Sequence, residues 1–302
     1  MSKRGRAVVL VALVLLASSC GDSSGPGDAA DRLTVVATTS ILGDVVGNIV
    51  GDDIAVQVLM PIGADPHDYQ PSAQQVAAVA GADLVVANGL SLEESLNDVL
   101  ESAIGDGANI LEIGPIVDPI ERSGTDGEWD PHVWLDPLRM AEAVDVIGAE
   151  LSRLDSAVDW ERRAEDYAAE LRAVNASIED ILAAIPMDDR VLVTNHDSLG
   201  YFSERYGFEV VGMVIAGGSS LAAPSAGHLA ALVEVMIDRE VPAIFTESTD
   251  STVLAESVAA EAGGAIAVVE IYTGSLGEPG SGAETLLDLL VTNARRIASA
   301  LS

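Results

Sequence analysis

Three histidines stand where a chain ordinarily delivers a ligand. His132 lies in Asp130-Pro131-His132-Val133-Trp134-Leu135-Asp136-Pro137, between two prolines that stiffen the backbone on either side. His67 ends a second Asp-Pro-His, Asp65-Pro66-His67. His196 closes Val193-Thr194-Asn195-His196, directly after an apolar run. The chain holds only 4 histidines, so most of its imidazoles are spent at a strand end or in a stiff loop. Neutral imidazole is a common zinc ligand, and three imidazoles with one further position make a tetrahedral site. A lone histidine is more often a loop or helix-face residue than a ligand; the joint pattern carries the metal reading. His228 supplies the contrast. It follows Pro224 in an amphipathic stretch and reads as an ordinary helix position.

The elements that must position these residues alternate between strand and helix. The β-branched run 33–39 reads as a first strand, with Ser40 capping a helix over 41–50 and a second strand over 54–60. Strand, helix and strand at this spacing make a βαβ unit. Its outgoing loop carries His67 from the carboxyl end of a strand, where open parallel sheets bind ligands. Further helices are expected from 71 and over 92–100, and strands over 82–87 and 109–113. Residues 117–130 read as an acidic, irregular loop. Helical spacing covers 137–154. A longer helical pattern then runs to Pro186, about 45 Å if some thirty residues are helical. The second half repeats the alternation, with strands over 191–194, 209–213, 243–246 and 265–269 and a closing helix over 283–301. The expected fold is α/β: two similar lobes with parallel sheets joined by one long rigid helix, with a metal site in the cleft between them. The boundaries read as 33–155 for the N-terminal lobe, 156–186 for the linking helix and 187–302 for the C-terminal lobe. His67 and His132 come from the first half and His196 from the second, so one metal would clamp both.

At 302 residues, 49% of them hydrophobic, the chain can bury two cores of common size. Beyond the N-terminus no apolar run is long enough to span a bilayer. Residues 1–19 read as a targeting segment, with basic Lys3, Arg4 and Arg6, an apolar stretch over 7–16 and small residues before Cys20. This arrangement looks like a bacterial lipoprotein signal. Ala17 stands where that pattern usually has leucine, with Leu16 one step back. A single cysteine has no intrachain disulfide partner, so lipidation gives Cys20 a use. Residues 20–32 are small, polar and turn-rich, a flexible tether. The mature protein would then be extracytoplasmic, anchored to the membrane by lipid and monomeric. A formal charge of −33 argues against nucleic acid, whose phosphates would be repelled.

The separated motifs resemble the zinc/manganese solute-binding lipoproteins of bacterial ABC importers. The matching segments are Thr38-Thr39-Ser40-Ile41-Leu42, Gly63-Ala64-Asp65-Pro66-His67-Asp68-Tyr69, Ala82-Asp83-Leu84-Val85, Asn88-Gly89-Leu90, the His132 stretch, Thr194-Asn195-His196, Phe245-Thr246-Glu247 and Gly280-Ser281-Gly282-Ala283-Glu284-Thr285. They run in family order across nearly all of the mature chain. The resemblance implies two α/β lobes on a rigid helix and metal in the cleft. It also implies delivery to a permease driven by a separate ATPase. It carries three ligands over to His67, His132 and His196. A histidine at the third position resembles the zinc branch, the manganese branch tending to have glutamate there, and imidazole suits zinc where manganese favours oxygen. The family's usual fourth ligand is an aspartate; Gly274 takes its place. Water, Glu247 or Glu278 could substitute, and Glu247 could instead accept a ring N–H from a ligand histidine. Two other classes of function remain on these residues. Three imidazoles and a water are also the layout of a zinc hydrolase, although the chain has no His-Glu-x-x-His or Gly-x-Ser-x-Gly motif. Some relatives act as adhesins on the same fold. The chain has no glycine-lysine phosphate loop, so it is not expected to hydrolyse ATP.

Overall fold

The computed structural model describes residues 33–122, 127–263 and 266–302. The targeting segment, Cys20 and the tether lie outside them, and among the described residues no helix is long and apolar enough to cross a membrane.

The first lobe begins with β1 (Val35–Ala37), α1 (Ser40–Val50), β2 (Val56–Val58), α2 (Ala73–Gly81), β3 (Leu84–Ala87), α3 (Asn97–Gly105) and β4 (Ile110–Glu112). All its strand pairs are parallel, in the order β2-β1-β3-β4. Strands buried on both faces favour continuous apolar runs, and Val35-Val36-Ala37 and Leu84-Val85-Val86-Ala87 are buried throughout. Thr39, not Ser40, caps α1: its side chain accepts from the Leu42 N–H, and Ser40 is the first helical residue. Ser72 and Gln75 close a capping box at α2. The helix expected from residue 92 begins later, after a 3₁₀ turn over Glu94–Leu96.

Two helices follow. α4 (Pro137–Leu154) is capped by Asp136, and α5 (Trp160–Leu182) by Asp159. α5 has 23 residues, so at the usual rise it is about 34 Å long rather than 45 Å. It ends in a turn before Pro186, which cannot continue the hydrogen-bond ladder. Its buried residues Trp160, Ala164, Tyr167, Ala168, Leu171, Asn175, Ile178 and Leu182 recur at helical spacing.

The second lobe contains β5 (Val191–Thr194), α6 (Gly200–Tyr206), β6 (Glu209–Met213), α7 (Ala226–Asp238), β7 (Ala243–Glu247), α8 (Val253–Glu261), β8 (Ala267–Ile271) and α9 (Leu286–Ala300). Its parallel order β6-β5-β7-β8 repeats the plan of the first sheet. In each sheet the order reverses between the first and third strands, which is where open α/β sheets make their ligand crevice. A single apolar cluster runs through both lobes, from Val35 and Val46 through Ile147, Tyr167 and Ile178 to Phe245 and Ile297. Smaller clusters fill the outer face of each sheet.

Candidate metal centre

The two Asp-Pro-His motifs fold alike. Asp65 Oδ1 accepts the His67 N–H at 3.0 Å, and Asp130 Oδ1 accepts the His132 N–H at 3.0 Å. Each is an Asx turn in which the aspartate holds the backbone two residues on and proline fixes the residue between. His196 lies just past the end of β5, where the Thr194 hydroxyl donates to its carbonyl at 2.8 Å.

These turns bring three rings together. His196 Nε2 is 3.1 Å from His132 Nε2, and His67 Nε2 is 3.4 Å from it. The ring centroids are 5.0–5.5 Å apart. All three residues are 1–2% exposed. They are the one set of three such side chains, among the described residues, whose potential ligand atoms all lie within 4.8 Å of each other. A tetrahedral ion with bonds of about 2.0–2.1 Å would hold its nitrogens about 3.3 Å apart, so the observed spacing suits one.

Each outer ring nitrogen meets a carboxylate. His132 Nδ1 is 2.7 Å from Asp130 Oδ1, His67 Nδ1 is 3.1 Å from Glu94 Oε1, and His196 Nδ1 is 2.5 Å from Glu247 Oε1. The last oxygen lies off the ideal N–H line but remains the nearest charge to that ring. An ionised carboxylate only accepts, so a ring that faces one carries its proton on Nδ1 and turns the Nε2 lone pair to the shared centre. The protonation balance differs from ring to ring. Burial holds His132 well below its ordinary value, and the neighbouring imidazoles add to this. Burial and then His196 lower His67, against Asp65, Glu94 and Glu247. Burial also pulls on His196, but the charge and hydrogen bonding of Glu247 outweigh it and raise the ring. Burial would raise Glu247, yet His196 overrides it and holds the carboxyl at about 2. Burial pushes Asp130 up to about 7.

The loop after β8 forms one wall. Trp134 Nε1 donates to the Thr273 carbonyl at 2.7 Å, and the Gly63 N–H donates to Ser275 Oγ at 2.8 Å. Gly274 between them is buried, and a Cβ there would stand 3.0 Å from Pro66 Cδ and 3.6 Å from Thr249 Oγ1. The missing aspartate therefore coincides with close packing of this loop on the His67 turn. Of the substitutes weighed for it, Glu278 is exposed and outside the triad, and Glu247 faces the outer nitrogen of His196. His228 lies on α7 and bonds the Met213 carbonyl through Nε2 at 2.8 Å, away from the three rings. Asp130 and Glu94 were not singled out from sequence. The Asx-turn signature of Asp-Pro-His was a usable signal for Asp130; Glu94, next to the wholly buried Glu93, had none.

The family description "Zinc-uptake complex component A periplasmic" (ZnuA) matches residues 35–300. The chain belongs to this family. It is a metal-binding substrate-binding protein of an ABC importer, acting outside the cytoplasm with permease and ATPase partners, and not an enzyme. Relatives include the manganese-binding lipoprotein MntA of Halalkalibacterium halodurans, 33% identical over 97% of this chain and 97% of its own. The iron-binding protein YfeA of Yersinia pestis is 28% identical over 90% of each. The zinc-binding protein TroA of Treponema pallidum is 31% identical over 89% of this chain and 88% of its own. The solved structure of TroA superposes with a TM-score of 0.83 at 29% identity, covering 90% of this chain and 99% of TroA. The shared two-lobed fold thus serves relatives named for three different metals.

Proposed function

We propose that this ZnuA-family chain captures Zn²⁺ outside the cytoplasm and hands it to its permease, with His67, His132 and His196 as ligands through Nε2. The observation that carries this reading is the convergence of three buried Nε2 atoms, 3.1 and 3.4 Å apart where measured pairwise to His132. Three imidazoles and no carboxylate in the ligand set favour zinc over manganese, which prefers oxygen. Water completes the coordination, because position 274 brings no side chain and Glu247 is engaged with His196. On this reading residues 33–155 and 187–302 are the two lobes with 156–186 between them. Cys20 carries lipid, the tether stands the folded body off the membrane, and the protein works as a monomer.

The test strips the protein with chelator and offers equal zinc and manganese in competition. One zinc held per chain, lost in His132→Ala, is the expected result. Preference for manganese would move the protein to an oxygen-rich site, and normal zinc affinity in His132→Ala would overturn the ligand assignment.

A further inference from the structure

We infer that Glu94 is a positioning residue that sets metal preference, supplying from behind His67 the negative charge that Gly274 does not bring to the ligand set. This rests on the zinc reading above and deepens it.

Three observations converge. First, Glu94 Oε1 is 3.1 Å from His67 Nδ1, yet the Glu94 side chain is 37% exposed. The side chains of its counterparts Asp130 and Glu247 are 2% and 4% exposed. Glu94 is thus the one anion of the three that solvent does not force into place by exclusion.

Second, the loop that delivers it is held in an unusual conformation. Leu90 and Ser91, neither of them glycine, have φ of 55° and 62°. Such backbone persists only where the surroundings over-determine it, and it concentrates at functional sites. The surroundings here are specific. Glu93, wholly buried, accepts from the Thr38 hydroxyl at 2.7 Å, the Asn88 N–H at 2.7 Å and the Gly89 N–H at 3.2 Å. The Asn88 side chain donates to the Pro131 carbonyl at 2.8 Å, tying the same loop to the His132 turn. Glu93 faces inward and closes the loop; Glu94, the next residue, is turned out under His67.

Third, the ligand set is electrically neutral. Three imidazoles carry no charge, and Gly274 carries none. A divalent ion then depends on the carboxylates that face the outer nitrogens. An anion on Nδ1 makes Nε2 a stronger donor. Stronger nitrogen donation favours zinc more than manganese, because zinc gains more from imidazole.

The test compares the full-length chain with Glu94→Gln, which keeps an acceptor at similar reach and removes the charge, and with Glu94→Asp, which keeps the charge on a shorter arm. Zinc and manganese dissociation constants are measured by competition against chelators. The visible spectrum of the cobalt-loaded protein reports the geometry, and thermal unfolding of the metal-free protein reports the fold. In Glu94→Gln the expected zinc affinity falls about tenfold, within the range that outer partners of ligand histidines control. Manganese affinity changes far less, so the zinc-to-manganese ratio falls, while the cobalt spectrum stays tetrahedral and the unfolding midpoint is unmoved. Glu94→Asp recovers part of the ratio. Equal losses for the two metals, or a ratio unchanged in Glu94→Gln, would overturn the inference while leaving the zinc reading intact. A wild-type chain that binds no zinc would overturn the reading itself.

Discussion

Lowering the pH should weaken metal binding through one ring, His196. A metal and a proton compete for the same lone pair, so a ligand histidine that is protonated must lose its proton first. His132 is held well below, and His67 below, the ordinary imidazole value of 6.5. Both are therefore already neutral somewhat below neutral pH. His196 is raised by Glu247 despite its burial. Binding then releases the His196 proton below the His196 value, beside any proton lost from the Asp130 carboxyl, which stands at about 7 against His132. From the His196 proton alone, affinity falls tenfold, about 1.4 kcal/mol, for each pH unit lost below that value. Calorimetric titration of zinc in two buffers of different ionisation enthalpy counts the protons directly, and chelator competition across the same range gives the slope. Glu247→Gln removes the anion from the His196 ring, so burial governs and the ring's value drops. The proton count near pH 6.5 should fall by up to one in that variant, while affinity at higher pH also drops about tenfold or more as the ring loses its partner. An unchanged count in Glu247→Gln would refute the assignment of the competing proton to His196.

Three other outcomes follow from the packing. Asp136 is fully buried, caps α4, and pairs with Arg139 Nη1 at 2.7 Å and Arg205 Nη2 at 2.7 Å. Asp136→Ala removes the nearest anion from the buried Arg139, leaving it Glu204 at 3.5 Å and Asp118 at 3.9 Å, and should cost up to about 3–5 kcal/mol in denaturant unfolding; a loss below about 1 kcal/mol would mean that these partners or water replace the carboxylate. At Gly148 a Cβ would stand 2.5 Å from the Ala164 Cβ and 3.2 Å from the Trp160 carbonyl, so Gly148→Ala should push α4 from α5 and destabilise by about 1–3 kcal/mol on the same assay. Gly274→Ala should press on Pro66 and shift the His67 turn by a few tenths of an ångström; the expected result is several-fold weaker zinc binding with an unchanged unfolding midpoint, measured by competition and calorimetry.

The alternation of strand and helix was legible because buried parallel strands such as Leu84-Val85-Val86-Ala87 are apolar throughout and are bounded by turn residues. The three histidines were legible because proline and strand ends mark positions that hold still. Helix boundaries were less so. The thirty-residue pattern through α5 broke at both ends, since Asp159 supplies an N-cap and Ala183 starts a turn; periodicity alone does not register where capping chemistry ends a helix. The start of α3 slipped for a related reason, because Glu93 and Glu94 serve the loop and not the helix that their spacing suggested. Of the carboxylates beside the rings, Glu247 was legible at a strand end as an acceptor for a ring N–H, and it does face His196 Nδ1; Glu94 was hidden in a chain with 48 acidic residues. Only the fold distinguishes Glu94 from the solvated acids elsewhere.

The continuous apolar cluster has a mechanical consequence. Val46, Ile147, Tyr167, Ile178 and Ile297 belong to one body of oil, not to two that touch. Swinging the lobes apart like a jaw would wet that body, at about 2.5 kcal/mol for every 100 Å² exposed. Loop 272–276 shares that cost, because Tyr272 and Leu276 belong to the same cluster; it is tied to the first lobe by polar contacts from Gly63 to Ser275 and from Trp134 to Thr273. A body with one continuous core is expected to exchange its cargo with the lobes still joined along that core.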